Sequence, residues 1–484
     1  MSLTGRTISG IKWSGTAQVI RSFTRIGAII LLGRLLAPRD FGIMAMAVVV
    51  TGFVDLFREL GTGVALIQRK ETSQRLLSSV FWANSAFGLL GTVAIFALAP
   101  LASDFYHAPR LVPVMQVLSA SFVLSGVSVV QQALLSKRLA FKKLAIIQSS
   151  AAIAGAVAAV VLAAVGAGVY ALVAQSLVTT GITTLALWAR SDWHPGFEFA
   201  VDDLRSVWSF SANVVGFNVV NYLARNVDYL LIGRYLGAQK LGYYTLAYNL
   251  LLFPLQNLSY VVNSVLFPAF ASIQDETARI ASAYLRAVRV MALLAFPVML
   301  GLLAVCDLFV PTVYGAKWTP AIPLVAILVP VGLTQSFSAL NGSIYQATGR
   351  ADLQFRVGSV SSTIVVASFF IGLHWGIIGV ATAYAVTVVG ILSYPLMVIS
   401  LRLVGLGTRD LLSALRRPFL ASLCMLAGVG AIRLVFTTLG TANGTALLVL
   451  VLAGALLYCA ATYVFDRAQV RQVWMLLRPR AAGL

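Results

Sequence analysis

The chain has 484 residues, 59% of them hydrophobic and only 11% charged, with a mean hydropathy of +0.90. A soluble domain carries about a quarter of its residues as charges, so this balance excludes an aqueous globule. The net charge of +19 does not mark a nucleic-acid binder, because no basic segment stands apart from the apolar runs. Basic residues here set topology and meet anionic headgroups.

Apolar stretches of roughly 20 residues, long enough to span a bilayer as helices, recur from end to end. Gly and Ala are abundant and no run of alternating ten-residue strands appears, which favours helices over a β-barrel. The predicted helices are 11–35, 41–66, 77–99, 112–134, 146–165, 170–189, 206–235, 243–270, 288–311, 320–347, 356–374, 377–400, 418–437 and 443–465. Their short connections make neighbours antiparallel. Arg6 and Lys12 open the chain like a signal peptide, but Arg21 and Arg25 interrupt the apolar core, so the segment is expected to stay as helix 1.

Charge inside such helices needs a cause, since a charged group at the bilayer centre costs about 2.5–3.5 kcal/mol on insertion scales. Helix 1 carries Gln18, Arg21 and Arg25 on one face, and helix 2 carries Asp55, Arg58 and Glu59. Helix 7 has a stripe of Asn218, Asn221, Arg225 and Asp228. Helix 8 adds Asn249, Gln256, Tyr260 and Asn263, and helix 10 adds Gln335, Ser338 and Asn341. These stripes are expected to line one water-filled central cavity. Arg58 also has Asp55 and Glu59 within reach, and Arg225 has Asp228, so these charges equally suit structural ion pairs. Arg433 and Asp307 are expected at the membrane interface. Cys306, Cys424 and Cys459 are odd in number and sit in apolar surroundings, which gives neither a disulfide framework nor a metal cluster. His107, His194 and His374 are isolated, and no cofactor is expected.

With the N-terminus in the cytoplasm, 24 of the 35 basic residues fall in the tails and even-numbered loops and 6 in the odd-numbered ones; Arg21, Arg25, Arg58, Arg225 and Arg433 lie within helices. The positive-inside rule then puts both termini in the cytoplasm.

The chain also repeats itself. Gly33-Arg34-Leu35-Leu36 with Gly42 matches Gly233-Arg234-Tyr235-Leu236 with Gly242 at an offset of 200, which also pairs Arg25 with Arg225. Gln132-Ala133 matches Gln346-Ala347, and Gly168-Val169 matches Gly379-Val380. Six helices separate the copies, so the halves run parallel, a known transporter plan. The expected fold is an all-α integral membrane protein of about fourteen transmembrane helices. Two pseudo-symmetric six-helix lobes, 1–200 and 201–402, surround the cavity, and 403–484 adds helices 13 and 14 and a basic tail.

A cavity rich in arginine suits an anionic substrate, because the planar guanidinium fork pairs bidentately with phosphate. Asp55, Glu59 and Asp228 are candidates to cycle a proton or sodium ion. No Walker motif is present, and the extracytoplasmic loops are too short for a membrane glycosyltransferase, so no enzyme is expected.

Three segments carry a family resemblance: Gly15-Thr16-Ala17-Gln18, the turn Gly33-Arg34-Leu35-Leu36-Ala37-Pro38-Arg39-Asp40-Phe41-Gly42, and Glu59-Leu60-Gly61-Thr62-Gly63-Val64-Ala65-Leu66-Ile67-Gln68. Over essentially its whole length the chain resembles the polysaccharide transporter family, with its Wzx-type and colanic-acid-type lipid-linked oligosaccharide flippases. That family belongs to the multidrug/oligosaccharidyl-lipid/polysaccharide exporter superfamily. The resemblance implies alternating access and an undecaprenyl-pyrophosphate-linked repeat unit moved across the bacterial inner membrane for exopolysaccharide or O-antigen biosynthesis. By it Arg21, Arg25 and Arg225, and with less support Arg58, would meet the pyrophosphate or acidic sugars. Membrane lipids, a repeat-unit polymerase and a chain-length regulator are the implied partners. The rival is a drug/cation antiporter of the same architecture, which should present carboxylates rather than arginines in its cavity.

Overall fold

A computed structural model describes residues 3–58, 66–67, 73–199, 211–252, 277–438 and 444–465. Among these the protein is all-helical. In hydrocarbon every backbone N–H and C=O must find a partner within the protein, and a helix supplies one within its own segment. The helices are α1 (Leu3–Leu35), α2 (Pro38–Arg58), α3 (Gln74–Tyr106), α4 (Leu111–Gly126), α5 (Val129–Lys137), α6 (Phe141–Ala164), α7 (Val169–Ala189) and α8 (Ser211–Leu231). A π-helical turn, Ile232–Leu236, extends α8, and α9 covers 238–252. There follow α10 (Thr277–Tyr314), α11 (Ile322–Ser338), α12 (Asn341–Ala347), α13 (Ala351–Leu373), α14 (Gly376–Ala385), α15 (Ser393–Leu403), α16 (Thr408–Thr438) and α17 (Gly444–Phe465).

Among the described residues nine helical stretches are long and apolar enough to cross a membrane, or ten if the bent pair α4–α5 is one span. The 33-residue α1 and 21-residue α8 have the length, but carry too many polar residues to count among them. Each predicted helix overlaps an observed one, but the ends differ. Helix 3 runs from Gln74 to Tyr106, seven residues past its predicted end, and is closed by Ser73, which accepts from the Leu76 N–H (3.2 Å), and by left-handed His107. Such a helix is about 50 Å long against a hydrocarbon core of about 30 Å, so its ends stand in the headgroup zone.

Predicted helix 4 is broken: α4 and α5 meet at Val127-Ser128 with a 42° bend. Predicted helix 10 breaks at the corresponding place, Ala339-Leu340. In both copies the repeated Gln-Ala pair, Gln132-Ala133 and Gln346-Ala347, lies on the short helix after the break. The third sequence match fares differently. Gly168 caps α7 with φ +57°, whereas Gly379 is inside α14 and the turn before it uses Gly376 at φ +70°.

The chain divides into two compact units, 1–242 and 243–484. In the first, small residues let helices approach closely. Gly88 and Gly126 bring α3 and α4 together: a Cβ on Gly88 would lie 2.6 Å from the Phe122 carbonyl oxygen, and one on Gly126 2.7 Å from that of Asn84. Ala28 and Leu32 of α1, with Leu36 just beyond it, pack on Ala156, Ala159 and Ala163 of α6. The repeated turns also meet reciprocally. A Cβ on Gly42 would overlap the Ala238 carbonyl, and one on Gly242 would overlap the Pro38 carbonyl. These are the same two positions exchanged at the offset of 200, so the turns face each other about a local two-fold axis. Arg234 of the π turn caps α3, donating to the Phe105 carbonyl at 2.6 Å and lying over the Phe105 ring.

In the second unit α10, α16 and α17 share a core of Leu300, Met425, Val429 and Leu450. Arg433, expected at the membrane interface, makes contacts within the protein. It donates to Asp307 and to the Ala304 carbonyl (3.1 Å), tying α16 to α10. Asp307 is its ion-pair partner.

Candidate functional site

The charged groups of α1, α2 and α8 all belong to the first unit. The alanine seam between α1 and α6 sets Arg21 opposite Gln148. One Nη of Arg21 donates to the Gln148 side-chain oxygen and the other to Gln18 Oε1 at 2.8 Å. Both acceptors are neutral amides, so the guanidinium is fixed in place while its charge stays uncompensated by them. One turn on, Arg25 is exposed, and among the described residues no hydrogen bond or ion pair engages it. It stands ten residues before the end of α1 at Leu35, about 15 Å along the axis.

Helix α8 packs on α2 through Tyr222, whose hydroxyl donates to the Val49 carbonyl at 2.9 Å. Gly52 makes room for it, since a Cβ there would overlap the hydroxyl. Asn226 Nδ2 donates to the Tyr222 carbonyl at 2.8 Å. This fixes the face on which Arg225 sits: exposed, with Nε donating to Asn221 Oδ1 at 3.2 Å. Among the described residues that is its only hydrogen bond, and Asp228 does not pair with it. Asp228 is 3% exposed and accepts from the Tyr229 N–H at 2.9 Å. Asp55 is half-buried on α2, and Asn218 is half-buried on α8.

Five sequence-derived candidates lie wholly or in their side chains outside the described residues: Arg58, Glu59, Gln256, Tyr260 and Asn263. The remaining polar candidates belong to the second unit. Gln335 Nε2 donates to the Tyr384 hydroxyl at 2.8 Å, and the Tyr384 ring is 6.4 Å from that of Tyr248, beside half-buried Asn249. Asn341 Oδ1 accepts from the Tyr284 hydroxyl at 2.8 Å in a fully buried pair. Gln335 and Asn341 thus cross-link helices through tyrosines.

Sequence reasoning missed Gln148 and the tyrosines. Gln148 is the one amide in the apolar run 144–165, and that solitude was a usable signal. Nothing in the sequence distinguishes Tyr222 from other membrane tyrosines. Arg21, Arg25 and Arg225 remain as cations with donors to spare, suited to an anion that accepts a planar fork.

The profile of a family described as polysaccharide biosynthesis protein matches residues 31–323. The lipopolysaccharide biosynthesis protein WzxC of Escherichia coli (strain K12) is 33% identical over 428 residues, 87% of either chain. The chain belongs to the polysaccharide biosynthesis protein family. A further relative in sequence is the teichuronic acid biosynthesis protein TuaB of Bacillus subtilis (strain 168), 30% identical over 80% of each chain. In fold, the family member resembles the solved inward closed conformation of the lipid II flippase MurJ. The match has a TM-score of 0.73 at 16% identity and covers 96% of this chain and 100% of the other. At that identity the likeness concerns the fold: a multi-pass helical membrane protein.

Proposed function

We propose that the chain is a flippase that moves an undecaprenyl-pyrophosphate-linked oligosaccharide repeat unit across the bacterial inner membrane by alternating access, without covalent chemistry. The observation that carries this is the state of Arg25 and Arg225. They occupy repeat-equivalent positions, both exposed, and neither has an acidic partner among the described residues. A cation in that position calls for an anionic cargo, and pyrophosphate accepts the guanidinium fork. The relatives are named for lipopolysaccharide and teichuronic acid biosynthesis and the fold relative for flipping lipid II; a lipid-linked glycan is the cargo that joins them.

Fourteen spans, arranged as repeats 1–200 and 201–402 followed by 403–484, with both termini cytoplasmic, complete the proposal. Asp55, Glu59 and Asp228 are its candidates for coupling transport to a proton or sodium gradient. A repeat-unit polymerase and a chain-length regulator would act on the delivered cargo.

Deleting the gene should abolish the surface polysaccharide and leave lipid-linked repeat units accumulating in the cytoplasmic leaflet, and the intact chain should reverse both. Undiminished polysaccharide together with lowered resistance to cationic drugs would instead identify an antiporter.

A further inference from the structure

The hairpin of α13 and α14 carries a cavity that the transport reading does not use. Near the turn the two helices touch backbone to backbone: a Cβ on Gly372 would lie 2.5 Å from the Gly379 carbonyl oxygen, and one on Gly379 would overlap the Gly372 carbonyl. Beside this contact a cavity of about 450 Å³ opens, lined by Ser368 and Ile371 of α13, Trp375 of the turn, Thr382 of α14, and Val386 and Thr387 of the π-helical segment Val386–Leu392. No charged side chain lines it.

Ile371, Trp375 and Val386 are exposed along it, and both helices belong to stretches apolar enough to cross a membrane. The medium at the cavity mouth is therefore lipid hydrocarbon. An interfacial tryptophan at the hairpin turn marks the headgroup level, and the cavity extends from it toward the membrane interior.

Two features separate this cavity from ordinary lipid-facing roughness. The π-helical segment is a local departure from α geometry of the kind that recurs at functional sites. It also changes what Thr387 does. Ser368 satisfies its hydroxyl on the Val365 carbonyl at 2.7 Å, as helical Ser and Thr commonly do. Thr387 is 4% exposed, lines the cavity, and makes no such bond among the described residues.

We propose that this cavity is a lipid site holding one fatty-acyl chain of a phospholipid, whose headgroup sits at Trp375 and whose second chain remains in the bilayer. The volume suits one acyl chain and is too small for a pair of chains or a whole polyprenyl chain, which sets the bound lipid apart from the flipped cargo.

Native mass spectrometry of the full-length protein, titrated with phosphatidylglycerol after delipidation, tests this. Thr382→Trp fills the cavity from its open side, and Val360→Trp adds the same bulk to an exposed face of α13 outside it. The first should retain phosphatidylglycerol about tenfold more weakly than the second, the effect of forfeiting about 1.4 kcal/mol of dispersion contact with the displaced part of the chain. Thr387→Val should retain it as well as the unsubstituted chain or better. Equal retention by the two tryptophan variants overturns the proposal, and so does weakened retention by Thr387→Val, which would mean a polar occupant. Should Thr382→Trp fail to fold, brominated phosphatidylglycerol at limiting amounts decides with the unsubstituted chain. Quenching that is absent from Trp375→Phe and saturates at one lipid per protein supports the site, and quenching that rises without saturation defeats it.

Discussion

At the bilayer centre, where the sequence pattern puts Arg25, an arginine costs about 2.5–3.5 kcal/mol on insertion scales, and no acid among the described residues offsets it. Arg225 repeats the situation with a single amide, Asn221, on its Nε. Replacing either by alanine should leave membrane insertion unharmed or improve it, while polysaccharide export falls by a factor of about ten or more, the loss expected when one charge-assisted contact of about 1.5–3 kcal/mol disappears. Lysine should restore only part of it, because it keeps the charge and loses the fork. Quantitative immunoblotting alongside surface-polysaccharide assay checks this; a parallel fall in protein and export would show that the arginines hold the fold instead. These positions were legible in the sequence because a charge within an apolar run is conspicuous. The groups that orient them were less so. Gln148 meets Arg21 across 127 residues of chain, and Arg433 meets Asp307 across 126, pairings that only the approach of two helices creates.

Among the elements, hydropathy located each helix but not its irregularities. The breaks at Val127-Ser128 and Ala339-Leu340 and the π turn at Ile232–Leu236 leave the apolar run intact, so a window that sums hydrophobicity cannot register them. Two of the sequence matches have local counterparts in space: the breaks before Gln132-Ala133 and Gln346-Ala347, and the reciprocal contacts of Gly42 and Gly242. Glycines at close approaches are the sharpest test of the packing. A Cβ at position 88 would meet backbone at 2.6 Å, whereas at Gly358 in α13 nothing lies within 4 Å. Gly88→Ala should therefore destabilise by about 1–3 kcal/mol, as overpacking of a filled core does. Gly358→Ala should be neutral or slightly stabilising, because alanine favours the helix by about 1 kcal/mol. Thermal denaturation in detergent compares them, and equal midpoints would refute the α3–α4 contact.

For the whole molecule, the bias of basic residues toward one set of loops predicts orientation. Reporter fusions after residues 70, 140 and 480 should report cytoplasm, and those after 108 and 316 periplasm; the opposite pattern would invert the topology and move the arginine faces to the wrong leaflet's entry path. Transport itself is best measured with the purified protein in vesicles containing a polyprenyl-pyrophosphate oligosaccharide with a fluorophore on the sugar. Dithionite added outside destroys only fluorophores in the outer leaflet. With the intact chain, the protected inner-leaflet signal should drain away, and with Arg25→Ala and Arg225→Ala combined it should persist as in protein-free vesicles. An inner-leaflet signal that persists with the intact chain, or drains equally fast with the double variant, would contradict an arginine-dependent flippase.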